Sequence, residues 1–474
     1  MKIISFISLL IYFGVLIAAV LWEKKNNSVE DFFFAGRTLP FWALSITFIA
    51  SWWGAGSAIE TSDLAFVDGM GAFWYFGMPV LVSTFFMTLL AGKIRKLPFL
   101  TQGQMMEARY SKQVSNMVAF FIFLFMTFSA ASQMVGVGNF FGQYLGLSYE
   151  KALLVGTGIV IVYSMFGGFR GVVFTDVIQF ILLLISALIV FFVSWKTSGG
   201  WNEIAIAAKS LNKSEFMNLG AGWRKYLAYV ITFALAWTIQ ANVWQRISAT
   251  RSVKDARKMT VLSFFIYIPL YMIVVLTGMA ALKIYPEVPE GGVILAIVND
   301  YLSPLLATLV FVGISAAIMS TMDSLINTGA MTLTMDLLGQ KGDEALKVSR
   351  IATAIVSFIA IIVAMRIRSI LEVTWIASDV ITTGVFVPLI FGFFWRRGNS
   401  KGAMFSMITG LIFTLIHFGV SMGVNIPLPW ELHSTEQILC GMGLSLAVYI
   451  ITSLLTEPEY EKADEFMKLS KLKD

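Results

Sequence analysis

The stretch GISAAIMSTMDSLINTGAMTLTMD, which runs from Gly313 to Asp336, decides how the rest of the chain is interpreted. At about 100° per residue, one face of this otherwise apolar helix carries Ala317, Ser320, Thr321, Ser324 and Thr328. Asp323 lies at the edge of that face, and a carboxylate at membrane depth costs about 3 kcal/mol even on lenient scales. Hydroxyl oxygens beside one acid suit a hard cation. Small residues also let membrane helices pack closely, so both interpretations stay open at this point.

The composition is that of a polytopic membrane protein. Of 474 residues, 57% are hydrophobic and 13% are charged, against roughly 25% charged in soluble domains. The single cysteine, Cys440, excludes an internal disulfide and a cysteine-built metal site. Two histidines, His417 and His433, are too few for haem or zinc chemistry, and no Ser–His–Asp set is evident. We therefore expect a protein that is not an enzyme and has no cofactor.

Apolar runs of about 20 residues are long enough to cross a membrane as helices. A leading run, 3–22, is interpreted as an uncleaved span rather than a signal peptide, because it is long and Lys24 and Lys25 follow it. Twelve further segments, called core helices 1 to 12, follow it. They are 40–67, 72–92, 114–143, 150–166, 171–195, 226–247, 259–283, 303–336, 349–365, 369–395, 402–421 and 436–455. The sequence thus predicts an all-α membrane protein with thirteen transmembrane helices.

The charge distribution predicts the orientation of these helices. With the N-terminus outside, most of the 34 basic residues fall in loops that face the cytoplasm. Examples are the loops 93–112 and 246–258, which contain Arg109 and Arg246. The tail 456–474 is then cytoplasmic, and the protein is a multi-pass protein of the cell membrane in contact with lipid. This asymmetry explains the net charge of +5 without a nucleic-acid partner.

Core helix 1 contains a sequence that favours a break in mid-membrane. Gly54, Ala55 and Gly56 are followed within two turns by Glu60 and Asp63. An unwound helix is tolerated in a membrane where the freed carbonyls line a cavity or hold an ion. The alternative is a seam of close helix packing, but these glycines lack the GxxxG spacing and a seam leaves the two acids unexplained.

Four motifs resemble the sodium:solute symporter family, in the family's order and along nearly the whole chain. They are VEDFFFAGRTLPFWALSITFIASWWGAGS from Val29, IVYSMFGGFRGVVFTDVIQ from Ile161, Trp244-Gln245-Arg246 with the loop to Lys258, and AAIMSTMDS from Ala316. The resemblance implies a leucine-transporter-type fold, with two inverted five-helix repeats at 40–195 and 226–395. Solute and sodium then bind where core helices 1 and 6 break. The leading helix and two extra helices within 402–455 lie outside the repeats.

The resemblance also implies a main sodium site between core helices 1 and 8. Its backbone ligands match the carbonyls of Ala50, Trp53 and Ala317, and its side-chain ligands match the hydroxyls of Ser320 and Thr321. Five neutral oxygens suit a monovalent ion that must also be released.

Some family members bind a second sodium, at positions that match Asp176, Asp323 and Ser324. Two facing carboxylates raise each other's proton affinity unless a cation lies between them. We therefore expect either a second cation or a proton shared by the pair. The alternative for Asp176 is a helix N-cap.

The motifs STMDS and WIASD resemble the choline-transporting branch, whose members enclose the quaternary ammonium in an aromatic cage. At the matching cage positions the chain keeps Trp52 but has Leu81, Ser129 and Gln240, which argues against choline. The positions that match the polar contacts of sugar-transporting members are Phe233, Ala236 and Trp237.

The candidate solute-binding residues are Trp52, Ser57, Trp74, Trp237 and Gln240. Glu60 and Asp63 are candidate partners for an amino group of the solute. Each tryptophan could instead pack in the core or against lipid. A small amine, amino acid or other zwitterion is the favoured solute.

The predicted function is sodium-coupled secondary active symport of a small organic solute by alternating access. One alternative is a proton-coupled transporter on the same fold that uses Asp176 and Asp323. The other is a transporter-like membrane sensor, although the tail 456–474 is too short for a signalling domain.

Overall fold

The computed structural model describes residues 2–22, 29–421 and 434–471. Lys24, Lys25 and His433, on which expectations were placed, lie outside the described residues. All regular structure in the described ranges is helical. The α-helices are α1 Lys2–Trp22, α2 Val29–Phe34, α3 Phe41–Ala50, α4 Thr61–Asp68, α5 Gly77–Lys96, α6 Gln102–Arg109, α7 Lys112–Leu145, α8 Tyr149–Ser198, α9 Trp201–Ser210, α10 Gly222–Thr238, α11 Ala241–Ser248, α12 Val253–Ile284, α13 Val293–Tyr301, α14 Pro304–Met331, α15 Gly342–Arg366, α16 Ile370–Gly384, α17 Phe386–Gly392, α18 Ser400–Ser421, α19 Ser434–Leu455 and α20 Tyr460–Leu469.

These helices overlap the predicted membrane segments. Within the described ranges, eight helical runs are long and apolar enough to cross a membrane. The number rises to ten if the bent pairs α10–α11 and α16–α17 each form one crossing. The all-α membrane architecture is therefore confirmed, whereas the count of thirteen crossings stays a prediction. Part of the difference lies in α8, whose 50 residues join the predicted segments 150–166 and 171–195.

The long helix α8 changes direction at Gly168, where φ is 54° and ψ is −164°. A side chain there would meet the carbonyl oxygen of Phe32 in α2 at 2.6 Å. Glycine alone takes positive φ without steric cost, which accounts for the residue at this joint. The two limbs of α8 carry Ser164 and Asp176, and both hydrogen-bond to side chains of α14.

The predicted break in core helix 1 is present. α3 ends at Ala50, and helical structure resumes at the π-helical turn Gly56–Glu60, which leads into α4. Tyr267 of α12 donates its hydroxyl to the carbonyls of Phe48 at 3.1 Å and Ile49 at 3.2 Å. The carbonyls that the break leaves without helical partners are thus hydrogen-bonded, as buried backbone groups must be.

The predicted break in core helix 6 is also present. α10 ends at Thr238 and α11 begins at Ala241, with a bend of 41° between them. Trp244 donates its indole N–H to the Thr238 carbonyl at 2.7 Å. Gln102 of α6 donates its amide to the Ile239 carbonyl at 2.9 Å. Two side chains therefore stabilise a break that contains neither glycine nor proline.

α14, which contains the polar stretch from Gly313 as far as Met331, lies at the centre of the bundle. It is buried at every position from Val310 to Met331 and packs mainly against α8 and α7. Its polar face is therefore directed at other helices rather than at lipid.

Two arginines that the charge pattern placed in cytoplasmic loops are buried inside the protein, while the orientation of the helices stays a prediction. Arg109 and Arg246 are both 0% exposed. Arg109 donates to the carbonyls of Gly392, Trp395 and Gly398 at 2.9 to 3.0 Å. Three carbonyls thus accept from two of the three guanidinium nitrogens, while the third has no partner among the described residues. Hydrogen bonds of this kind make a buried guanidinium tolerable, and a linear charge pattern does not contain that information.

Candidate ion and solute site

The oxygens predicted for the main sodium site partly converge where α3 ends beside α14. The Thr321 hydroxyl lies 3.1 Å from the Ala50 carbonyl oxygen and 3.4 Å from the Ala317 carbonyl oxygen. Trp53 is buried nearby, and its N–H donates to the same Ala50 carbonyl at 3.3 Å. Ala50, Ala317 and Thr321 thus form a cluster of neutral oxygens of the kind that binds a monovalent cation.

Ser320, the fifth predicted ligand, is turned toward α8. Its hydroxyl donates to one carboxylate oxygen of Asp176, and the hydroxyl of Thr47 donates to the other. All three side chains are buried. Ser320 therefore connects the oxygen cluster around Thr321 to a buried acid.

Asp176 lies beside a fixed positive charge. The Arg246 guanidinium approaches its carboxylate at 3.6 Å and donates to the hydroxyl of Thr47 at 3.2 Å and to that of Ser324 at 2.6 Å. A third donor of the same guanidinium reaches the Asn242 carbonyl at 2.7 Å. One arginine of α11 therefore holds together α3, α8 and α14.

The three residues predicted for a second sodium site have different hydrogen-bond partners in this structure. Ser324 hydrogen-bonds Arg246, whereas Asp323 accepts a hydrogen bond from Ser164. The second carboxylate oxygen of Asp323 has no hydrogen-bond partner among the described residues. The place next to Asp176 and Ser324 is taken by a guanidinium, which the sequence analysis missed because it counted Arg246 as a loop charge.

A cavity of about 40 Å³ lies between the two helix breaks. Four of the five predicted solute residues line it, namely Trp52, Ser57, Trp237 and Gln240. Thr321 lines it too, so one hydroxyl borders both the cavity and the oxygen cluster. Among the described residues, none of the side chains that line the cavity is charged. The polar ones are Ser51, Ser57, Ser129, Ser132, Gln133, Gln240, Thr321 and Thr374.

Aromatic contacts keep the cavity closed. The Trp52 indole donates to the side-chain oxygen of Gln240. Trp237 stacks on Phe76 and Phe233, with ring centroids 5.4 and 5.1 Å apart. A volume of 40 Å³ holds a few waters at most, whereas pockets for organic ligands occupy about 300–1,000 Å³. The cavity must therefore widen to admit an organic solute.

Three predicted solute contacts lie outside this cavity. Trp74 donates to the Leu219 carbonyl at 2.6 Å. Glu60 accepts from the Tyr75 hydroxyl at 3.1 Å and from the N–H of Leu371 at 3.2 Å.

Asp63 is also occupied elsewhere, because it accepts from the N–H of Val293 at the start of α13, at 2.7 Å. The reason is geometric: the π-helical turn that ends at Glu60 and the helix α4 continue past the cavity, so Glu60 and Asp63 bind the starts of α16 and α13. The structure does not bring Glu60 or Asp63 to the solute.

Two residues that support the site were not predicted. The side-chain oxygen of Gln133 accepts the N–H of Ala55 at 2.9 Å, and a side chain on Gly54 would come within 2.2 Å of that oxygen. The hydroxyls of Tyr271 and Ser57 lie 2.8 Å apart. A glutamine in the middle of an apolar helix is the sequence signal by which Gln133 could have been found.

Comparisons with known proteins identify the family of the chain. The sodium:solute symporter family model matches residues 32–410. The sodium/glucose cotransporter of Vibrio parahaemolyticus is 26% identical, over 96% of this chain and 91% of that protein. The high-affinity proline transporter PutP of Bacillus subtilis strain 168 is 26% identical, over 76% of this chain and 78% of that protein.

Solved structures share the fold. A Na+-coupled sialic acid symporter in a substrate-bound outward-open state gives a TM-score of 0.79 at 17% identity, covering 96% of this chain and 98% of that one. Mhp1, a nucleobase-cation-symport-1 family transporter in a closed conformation, gives 0.62 at 11% identity, covering 94% and 99%. The leucine-transporter-type fold is thereby confirmed, while the likeness to the choline-transporting branch stays a prediction. With two broken helices around one cavity and a family match over most of its length, the chain belongs to the sodium:solute symporter family.

Proposed function

We propose that this protein is a sodium-coupled symporter that imports a small polar solute without net charge. The observation that carries the proposal is the position of Thr321, whose hydroxyl borders the cavity and also contacts the Ala50 and Ala317 carbonyls. An ion held by these oxygens would lie next to the solute, so binding of one would change the affinity for the other.

The lining of the cavity supports the choice of solute class. It offers hydroxyls, two amides and aromatic faces but no charged side chain, and a buried unpaired charge is costly. A cationic amine therefore fits poorly, while a sugar, a polyol or a zwitterionic amino acid fits. The relatives named for glucose and proline transport act on solutes of this kind, both without net charge.

Sodium would couple to the solute through the helix break. A cation at the Thr321 cluster bridges the end of α3 to α14 and would stabilise the conformation that holds the solute. Because Arg246 already neutralises Asp176, we propose one sodium per cycle rather than two.

Uptake into proteoliposomes tests the function. Sugars, polyols and amino acids are offered with an inward sodium gradient, with an equal potassium gradient, or with neither. We expect accumulation of one class with the sodium gradient alone. Uptake of that class at the same rate in all three conditions would contradict sodium coupling.

A proton-coupled cycle is the second candidate, supported by the buried carboxylate oxygen of Asp323 that lacks a partner. In that case a pH gradient without sodium would drive uptake, and Asp323→Asn would abolish it.

A further inference from the structure

A second, smaller cavity of about 10 Å³ lies between α6, α11 and the end of the α14 segment. Its polar lining residues within the described chain are Thr101, Gln102, Gln245, Ser248, Thr332 and Asp336. It shares no lining residue with the solute cavity between the two helix breaks. The two cavities are therefore separate sites.

Asp336 is the only acid among the described residues that line this cavity, and it is 4% exposed. One of its carboxylate oxygens accepts from the Thr101 hydroxyl, which in turn accepts the N–H of Gln104 at 3.2 Å and so caps α6. A side chain on Gly103 would lie 2.6 Å from the carboxylate carbon of Asp336. The carboxylate is therefore packed directly on the first turn of α6.

The buried charge of Asp336 is not balanced by a basic residue. Lys112 and Glu107 act on it electrostatically with opposite sign, and these two are ion-paired with each other at 3.0 Å. In the described part of the chain, no lysine, arginine or histidine lines the cavity. Because a carboxylate buried without a counter-charge is unfavourable, Asp336 requires a cation or a proton.

Gln102 provides an oxygen that also lacks a partner. The residue is 4% exposed, and its amide nitrogen donates to the Ile239 carbonyl at 2.9 Å. Its side-chain oxygen is buried with no hydrogen-bond partner among the described residues. The hydroxyl-bearing residues Ser248 and Thr332 are buried as well and line the same cavity. Carboxylate, amide and hydroxyl groups thus surround one small space.

These groups suit a single monovalent cation. Hard cations prefer oxygen ligands, and a cavity of about 10–15 Å³ accommodates one water-sized sphere. One carboxylate balances one positive charge, whereas a divalent ion would leave a buried net charge. An ion also contacts several oxygens at once, while a proton on Asp336 would supply a single donor.

Polar groups on α14 connect this cavity to the oxygen cluster at Thr321. Thr328 and Thr332 follow Thr321 by seven and eleven positions, so the three lie on one face of the helix. Thr328 donates to the side-chain oxygen of Gln245 at 3.1 Å, and Gln245 lines the cavity. At 1.5 Å per residue, Asp336 lies roughly 20 Å along the helix from Thr321.

We propose that this cavity is a second sodium-binding site, which the transported ion occupies on its way to the cytoplasm. Its ligands would be the Asp336 carboxylate, the Gln102 side-chain oxygen and the hydroxyls of Ser248 and Thr332. The charge pattern predicts that the loop after α14 faces the cytoplasm, so the site lies on the release side. One ion that occupies the Thr321 cluster and this cavity in turn agrees with one sodium per cycle. The role in release rests on the proposed function, whereas the binding of sodium is inferred from the cavity itself.

Thermal unfolding of the purified full-length protein over a series of sodium concentrations tests the proposal, with choline chloride holding the ionic strength constant. Asp336→Asn keeps the shape of the side chain and removes its charge. Loss of a charged ligand corresponds to about tenfold in affinity. We therefore expect Asp336→Asn to need about tenfold more sodium for the stabilisation that this site provides. Asp300→Asn, the same change at an exposed carboxyl, should follow wild type.

A melting temperature of Asp336→Asn that differs from wild type by the same amount at every sodium concentration would overturn the proposal and assign a proton to Asp336. Ser248→Ala removes one ligand and leaves the carboxylate in place, so it keeps the test decisive if Asp336→Asn does not fold. It should weaken the effect of sodium, and an unchanged sodium dependence would contradict the site.

Thr321→Val separates this proposal from the proposed function. If the two sites are distinct, the losses of Thr321→Val and Asp336→Asn should add in the double variant. If Thr321→Val alone abolishes stabilisation by sodium, the Thr321 cluster is supported and the second site is wrong. If Asp336→Asn abolishes it while Thr321→Val has no effect, the second site is supported and the Thr321 cluster is not the sodium site.

Discussion

At the scale of single residues, Thr321 is the residue most important for the proposed coupling, because it contacts the Ala50 carbonyl and also lines the solute cavity. Thr321→Val preserves shape and removes one oxygen. Loss of one such interaction costs about 1–2 kcal/mol, so we expect sodium to act at roughly tenfold higher concentration. The measurement is the sodium dependence of uptake or of thermal stabilisation.

The matched control is Thr353→Val in α15. Thr353 is equally buried and bonds a carbonyl four residues back, as Thr321 does, but it lies outside the oxygen cluster. Equal sodium dependence of the two variants would argue against Thr321 as an ion ligand.

The pair of Arg246 and Asp176 yields a second prediction at this scale. Removing one member of a buried ion pair leaves an uncompensated charge and costs about 3–5 kcal/mol. Arg246→Met should therefore lower the melting temperature strongly. The double variant Arg246→Met with Asp176→Asn should recover much of that loss, since both charges are gone. Additive losses in the double variant would mean that the two charges are not coupled.

Single residues also show which parts of the site could be predicted from the sequence. Thr321 and Ala317 were predicted because the resemblance to the family implies a sodium site at these positions, whereas the hydroxyl stripe alone left close helix packing open. The burial of Arg246 was not predicted, because a basic residue near the end of an apolar segment normally lies in a loop. Only the tertiary contacts with Asp176 and Ser324 show that it is buried.

At the scale of elements, the two helix breaks differ in how readily the sequence predicts them. The break after α3 follows from its glycines. The break between α10 and α11 has no such residue and depends on Trp244 and on Gln102, which is more than a hundred positions away in the chain. No local pattern contains that hydrogen bond, so resemblance alone predicted the second break.

Gln102→Leu tests the support of the second break. The Ile239 carbonyl would lose its donor, and a buried unsatisfied acceptor costs about 1–3 kcal/mol. We expect lower thermal stability and slower uptake, because α6 no longer holds the break in this conformation. Gln113→Leu, on the exposed start of α7, is the control and should behave as wild type. Unaltered uptake by Gln102→Leu would remove α6 from the mechanism.

The tail helix α20 provides another prediction for an element. Phe466 is buried between Phe99 and Phe393, with centroids 6.4 and 5.3 Å away. The bidentate hydrogen bond from Arg396 holds the pKa of Asp464 below its usual value. Phe466→Ala should detach α20 and expose residues 456–471 to protease. Glu465→Ala, at an exposed position of the same helix, should leave them protected.

Acid should act on the same contact. A lowered pKa means that the ion pair contributes at neutral pH and is lost only as pH falls through that lowered value. Protease sensitivity of the tail should therefore rise at acidic pH in the wild-type protein, and Asp464→Asn should already show it at neutral pH. If acid leaves the tail protected, the ion pair does not hold it.

At the scale of the whole molecule, residues beside both helix breaks line a single cavity. Its 40 Å³ are too small for an organic solute, so binding requires α10 or α3 to move. Four of the lining residues were predicted from the sequence. The absence of charge among the described lining residues was not predicted, because Glu60 and Asp63 follow the first helix break within two turns and were expected to face the solute. The helix geometry directs both acids elsewhere.

Linkage between ion and solute gives the last prediction. If sodium and solute bind the same conformation, each must raise the affinity for the other by the same factor. At a sodium concentration of 100 times its dissociation constant, sodium alone should stabilise the fold by about 2.7 kcal/mol. The transported solute should add more in sodium than in potassium of equal ionic strength. Thr321→Val should reduce both effects together, since its hydroxyl borders the ion cluster and the cavity. A solute that stabilises the wild-type protein equally in either salt would show that the two sites are not coupled.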